Sequence, residues 1–125
     1  MDPPPVTTLL ERFLQLARSR AHQDLDVLEC SDESWTYADL DTISTCLARG
    51  LLAMYGERPV VAIVSENHPY VLAIILATWK AGGIAAPMDY HTPKEILVAM
   101  LLDVKPSCAL VPAPEIATRQ VLLGA

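Results

Sequence analysis

Apolar residues recur three and four apart at Leu9, Leu10, Phe13, Leu14 and Ala17, with Glu11, Arg12, Arg18 and Arg20 elsewhere on the wheel. That spacing predicts a surface helix with one buried stripe. Residues 1–7, which contain Pro3-Pro4-Pro5, are expected to form an extended arm ahead of it. Acidic and apolar residues then alternate over 26–30, as in a short half-exposed strand, and Ser31-Asp32-Glu33-Ser34 is expected to turn the chain. At the next helix Thr36 takes the N-cap position, with Asp39 three residues on, while Trp35 and Leu40 occupy the two positions of a hydrophobic staple. Its predicted buried stripe is Leu40, Ile43, Leu47, Leu51 and Met54, and Gly56 followed by Pro59 ends it.

Beyond Pro59 the pattern changes. Continuous apolar runs at 60–64, 84–87 and 108–111 alternate with helical segments that start at Pro69 and Pro93. Buried strands separated by helices predict an α/β fold: three layers around a mainly parallel sheet. Both prolines suit the first helical position, and Thr92-Pro93-Lys94-Glu95 reads as a second capping box. Gly82-Gly83 supplies a left-handed stop after Lys80-Ala81. The helix over 69–81 carries Val71, Leu72, Ile74, Ile75, Leu76 and Trp79 nearly all round, so it belongs in an interior. A final helix is expected over 115–123, with no strand to close it, and residues 1–125 are read as a single incomplete domain.

Charge narrows the set of partners. The 125 residues carry a formal net charge of -6, and the lysines are only Lys80, Lys94 and Lys105, scattered along the chain. Phosphate backbones are held by clustered cations, so no nucleic-acid partner is expected. Cys30, Cys46 and Cys108 lack the paired spacing of a zinc or redox motif and are read as free thiols in a reducing compartment. The start shows no basic, then apolar leader, and no apolar run approaches the roughly 20 residues that span a bilayer, so a cytoplasmic protein without a membrane partner is expected.

Three stretches carry a family likeness. Trp35-Thr36-Tyr37-Ala38-Asp39-Leu40 resembles the "TYxEL" motif of adenylate-forming (AMP-binding) enzymes, the superfamily of acyl-CoA synthetases and peptide-synthetase adenylation domains. Val61-Ala62-Ile63-Val64-Ser65-Glu66-Asn67 resembles that family's "VAIxxEN" strand and loop, and residues 79–89, WKAGGIAAPMD, resemble its "LKAGGAYVPLD" core motif. Together the likeness covers about residues 30 to 112. Asp39 stands for the usual Glu, Ala85 and Ala86 replace the common Tyr-Val, and Tyr90 stands where many members have Pro. These departures leave the substrate class open. The general style, with His91-Thr92-Pro93, resembles fungal synthetase-like carboxylate reductases.

The resemblance implies a parent enzyme that activates a carboxylic acid with ATP and magnesium to an acyl adenylate and passes the acyl group to a thiol, with phosphopantetheine on a downstream carrier as a further implied group. The phosphate-holding loop, the ribose-binding acid and the late lysine of that family have no counterpart here. The five glycines, Gly50, Gly56, Gly82, Gly83 and Gly124, form neither GxxxxGK[ST] nor GxGxxG. No catalytic, cofactor-binding or metal residue is therefore assigned, and the chain alone is expected to be an inactive scaffold whose partner is the rest of an adenylation domain.

Two loops at the carboxyl ends of the strands remain candidates: Ser65, Glu66, Asn67 and His68 after one strand, Asp89, Tyr90 and His91 after another. Ligands of open α/β sheets bind there. An Asp–His pair could act as a general base, and His68, Asp89 and His91 could hold a metal, though without a spacing signature; cap and loop roles compete with both readings. A receiver-type regulatory module would need an acidic cluster after its first strand and a lysine after its last, where this chain has Ser65-Glu66 and Pro112. Self-association through exposed apolar surface is the alternative to a parent-domain partner.

Overall fold

The computed structural model describes residues 8–30, 33–66 and 69–111. Helix α1 (Leu9–Ala17) is followed by strands β1 (Asp26–Cys30) and β2 (Glu33–Thr36), helix α2 (Tyr37–Tyr55), strand β3 (Val60–Ser65), helix α3 (Pro69–Lys80), strand β4 (Ile84–Asp89), helix α4 (Lys94–Val104) and strand β5 (Cys108–Leu110). The helix expected over 115–123 lies outside the described residues.

The predicted α/β core is present. β3 is central in a three-stranded parallel sheet of order β4-β3-β5, with Val60 opposite Ile84 and Ser65 opposite Asp89. Alternate residues of β3 feed two cores, as the two-residue period of a strand requires. Val61 and Ile63 pack with Ala48, Leu51, Ile74 and Ala77 of α2 and α3, while Ala62 and Val64 pack with Met88 and Leu97 on the α4 side. The resulting layers are α2 with α3, the sheet, and α4. A third cluster lies on the outer side of α2 and α3, where Leu10, Phe13, Val27 and Trp35 meet Leu40, Ala73 and Leu76. Burying Leu40 completely contributes about 2 kcal/mol.

Four expectations are corrected. Glu33 and Ser34 belong to β2, which pairs antiparallel with β1 in a separate two-stranded sheet, rather than to a turn. Met54 is 73% exposed, so the buried stripe of α2 ends at Leu51. The second capping box does not form: Pro93 itself is the N-cap of α4, has no side chain able to accept, and leaves Thr92 outside the helix. Trp79 is 37% exposed and Tyr70 43% exposed, so α3 is interior only along the side that carries Ala73, Ile74, Leu76, Ala77 and Thr78.

The first capping box forms as predicted. The Thr36 hydroxyl accepts from the Asp39 N–H at 3.1 Å and the Asp39 carboxylate accepts from the Thr36 N–H at 3.0 Å, an arrangement contributing about 1 kcal/mol. Trp35 and Leu40 share the outer cluster, as a staple requires.

The turn from α3 into β4 carries the tightest constraint. Gly82 has φ +75, a left-handed stop. Gly83 is needed for a different reason: a Cβ on it would fall on the carbonyl oxygen of Pro59 and 3.0 Å from that residue's carbonyl carbon and Cδ. The same carbonyl accepts from the Ile84 N–H at 2.9 Å, the first bond of the β3–β4 ladder. Among the described residues, no helix is long and apolar enough to cross a membrane.

Three alanine substitutions separate these roles by urea unfolding. Gly83→Ala is expected to cost about 3 kcal/mol or more, because backbone on both sides must move. Gly82→Ala meets open space and should lose only the left-handed penalty of about 1–2 kcal/mol. Gly50→Ala, in mid-helix with nothing within 4 Å, should gain about 0.5–1 kcal/mol.

Candidate functional site

The ends of β3 and β4 bring the two candidate loops together. Because Ser65 and Asp89 are opposite each other in register, the chain leaves both strands at one level. The Tyr90 N–H donates to the Ser65 carbonyl at 3.2 Å, and the Ser65 hydroxyl donates to the Glu66 carbonyl at 2.8 Å. Asp89 turns the second loop: its carboxylate accepts from the His91 N–H at 2.9 Å and its carbonyl from the Thr92 N–H at 3.1 Å, an Asx-type turn. A cavity of about 560 Å³ lies between the loops, with Ile63, Val71, Pro87 and Met88 as apolar lining and Ser65, Glu66, Asp89 and His91 at its polar side.

Between Asp89 and His91 no carboxylate–imidazole pair forms. The His91 imidazole Nε2 pairs with Glu66 Oε1 at 2.7 Å, whereas Asp89 holds only the His91 backbone. Both members of the Glu66–His91 pair are more than half exposed, so the pair adds at most about 1 kcal/mol. Asn67 and His68 lie outside the described residues. Among the described residues, no group of three or more His, Cys, Asp or Glu side chains is placed to hold a metal ion. Nor do the loops suit a nucleotide triphosphate, since they present two carboxylates, no lysine or arginine and no glycine-rich turn.

Sequence reasoning missed the most heavily bonded side chain among the described residues. Lys80, at the end of α3, places its ammonium 2.5 Å from Asp41 Oδ1, 2.8 Å from Ser44 Oγ, 2.9 Å from Thr45 Oγ1 and 3.1 Å from the Asp41 carbonyl. The ring of Phe13 lies 5.9 Å away. Four oxygens thus surround three protons. The readable signals were a lone cation ending an apolar helix and Asp41, Ser44 and Thr45 at i, i+3 and i+4 on one face of the preceding helix, α2.

A second pair joins β5 to α2. Burial pushes the Cys108 thiol up from its usual range, and a hydrogen bond with Tyr55 draws it partly back. Cys46 is exposed on α2.

Comparison with known proteins settles the relationship. The model of the family described as "AMP-binding enzyme" matches residues 16–123. The chain belongs to the AMP-binding enzyme family. It is 47% identical over 118 residues to hispidin synthase of Neonothopanus nambi, an alignment covering 94% of this chain and 7% of that protein. It is 36% identical over 110 residues to the nonribosomal peptide synthetase valB of Aspergillus terreus, covering 85% of this chain and 4% of that protein. The N-terminal subdomain of Klebsiella oxytoca NpsA superposes with a TM-score of 0.75 at 20% identity, over 85% of this chain and 28% of the other. The fold is thus the N-terminal subdomain fold of adenylation domains, and the chain spans a small fraction of its curated relatives' length. In this AMP-binding member all three family motifs have visible structural work: capping α2, forming the central strand, and closing α3 onto β4.

Two measurements check these assignments. Lys80→Met leaves the mostly enclosed Asp41 carboxylate with only the exposed Arg18 guanidinium, 3.5 Å from its Oδ2, and is expected to cost about 2–3 kcal/mol; a double-mutant cycle with Asp41→Asn should show coupling above about 1 kcal/mol. Alkylation followed by peptide mass spectrometry at neutral pH should modify Cys46 about tenfold faster than Cys108, the gap narrowing as pH rises, because a raised pKa lowers the thiolate fraction.

Proposed function

We propose that this chain acts as the N-terminal subdomain of an enzyme that activates a carboxylic acid with ATP to an acyl adenylate and transfers the acyl group to a thiol. The chain supplies scaffold and one wall of the acyl pocket, and the remainder of an adenylation domain is its partner. Magnesium and ATP belong to that remainder, which when present supplies phosphate binding and charge neutralisation; phosphopantetheine on a carrier is the thiol acceptor. No step of the reaction is assigned to a residue of this chain.

The observation that supports this reading best is the family match across residues 16–123, coupled with motif residues that are occupied in packing. The cavity between the β3 and β4 loops has a lining suited to the apolar body of an acid and no cation to bind its carboxylate. Its role here is to shape a pocket.

The test joins the chain to the coding sequence that follows it in its gene and measures acid-dependent ATP–pyrophosphate exchange with a panel of aromatic, aliphatic and amino acids. The extended protein is expected to exchange at least about a thousandfold faster than the 125-residue chain, because positioning and charge stabilisation come from the added part. Acid-dependent exchange by the chain alone sinks the proposal. So does an extended protein that neither exchanges nor binds ATP.

A further inference from the structure

Among the described residues the parallel sheet has two outer strands, β4 on one side of β3 and β5 on the other. Successive residues of a strand direct their backbone N–H and C=O groups to opposite sides, so one ladder bond fixes the direction of the rest. The Ile84 N–H donates to the Pro59 carbonyl and the Tyr90 N–H to the Ser65 carbonyl, which turns Ile84, Ala86, Met88 and Tyr90 toward β3 and Ala85, Pro87 and Asp89 away from it. On β5 the Ser107 N–H donates to the Val60 carbonyl, which turns Ser107 and Ala109 toward β3 and Cys108 and Leu110 away.

Pro87 therefore stands where a further strand would need a donor, and proline has none. Within sheets proline is found at the first residue of a strand, at a bulge, or on an edge strand. Pro87 is the fourth residue of β4, and the β3–β4 pairing runs without a shift from Val60–Ile84 to Ser65–Asp89. Position and register thus exclude the first two places and leave the edge. That conclusion follows from residue type and register, whatever surrounds the chain in a longer protein.

The opposite strand has the reverse character. Residues 108–111, Cys-Ala-Leu-Val, hold neither a proline nor a charge, the devices that blunt an edge. Both cores reach it: Cys108 and Leu110 pack against the α2–α3 cluster, Ala109 and Val111 within the α4 cluster. An apolar strand packed on both faces, with backbone groups at Cys108 and Leu110 aimed outward, is built as an interior strand.

We infer that β4 closes the sheet in the complete enzyme, and that the remainder of the adenylation domain adds its strand at β5, as a run apolar on both faces that bonds to Cys108 and Leu110. The inference rests on the proposed reading, in which that remainder is the partner. The two loops of the candidate site then lie at the closed side of the sheet, and the added strands extend from the other.

Residue-resolved deuterium exchange compares the 125-residue chain with the protein extended by the coding sequence that follows it. Ala86 and Ala109, whose N–H groups face β3, report stability in both proteins. Extension is expected to slow the Cys108 and Leu110 amides at least about a hundredfold relative to Ala109, and to leave Ala85 and Asp89 within about threefold of their former rates relative to Ala86. Slowing of Ala85 and Asp89 as large as that of Cys108 and Leu110 would place a strand on β4 and overturns the inference. So do Cys108 and Leu110 amides that extension leaves unchanged, whether fast in both proteins or already slow in the shorter one through its residues 112–125 or a second copy. The amides are read whether or not the extended protein exchanges pyrophosphate, so failure of the adenylation reading and failure of the edge assignment are separate results.

Discussion

The contact between Gly83 and the carbonyl of Pro59 sets the geometry on which the parallel sheet depends. Pro59 is the residue before β3, and its carbonyl both limits the approach of the α3–β4 turn and receives the first ladder bond from Ile84. One residue further, Val60 receives β5 in the same way: its N–H donates to the Ser107 hydroxyl at 3.2 Å and its carbonyl accepts from the Ser107 N–H at 2.7 Å. Both outer strands therefore take their register from the entry to β3. A slip of one residue would exchange Val61 and Ile63 with Ala62 and Val64 between cores of different volume. Register here is a packing decision enforced at one end of the strand.

The Lys80 cluster fixes the helical layer in the same neighbourhood. A cation in an apolar helix is costly unless its protons are satisfied, and α2 offers a carboxylate, two hydroxyls and a carbonyl to it. Because Lys80 stands three residues before Gly83, the same short segment locks α3 to α2 and then delivers the chain to β4. A motif that looks like a functional signature in a one-dimensional reading is thus consumed by architecture: Trp79 faces a groove, Lys80 joins two helices, Ala81 is buried, and the two glycines close the turn. The chemistry of the family has to come from elsewhere in the parent enzyme of the proposed reading.

Much of the fold was legible because it is written in local patterns. The Thr36 cap, the central strand, the apolar helix α3 and the alternation that makes a parallel sheet each follow from neighbouring residues alone. What was not legible depends on distant partners. Glu33 and Ser34 look like turn residues until β1 lies beside them, and Met54 keeps helical spacing although no element covers it. Pro93 could have sat inside α4, but the Thr92 N–H donates to the Asp89 carbonyl, which keeps Thr92 in the preceding turn and leaves Pro93 as the cap. At the candidate site the convergence of the two loops was foreseeable from strand order. The pairing within it was not, since His91 reaches across to Glu66 while Asp89 is used up on the backbone beside it.

That use of Asp89 and Glu66 has a consequence for the proposed acyl pocket. The cavity combines apolar lining from Ile63, Val71, Pro87 and Met88 with two carboxylates, and among the described residues its lining holds no lysine or arginine, only the His91 imidazole beside Glu66. An acid entering head first would bring a third carboxylate against two, an arrangement that like-charge repulsion disfavours even in a solvated rim. The same acid entering tail first places its hydrocarbon on the apolar lining and turns its carboxylate outward. In the proposed reading that orientation presents the reacting oxygen to the part of the enzyme that holds ATP, so the anionic character of these loops orders the substrate by exclusion. In the proposed reading the loops act on the reaction without touching the reacting atoms, through the direction in which they permit an acid to lie.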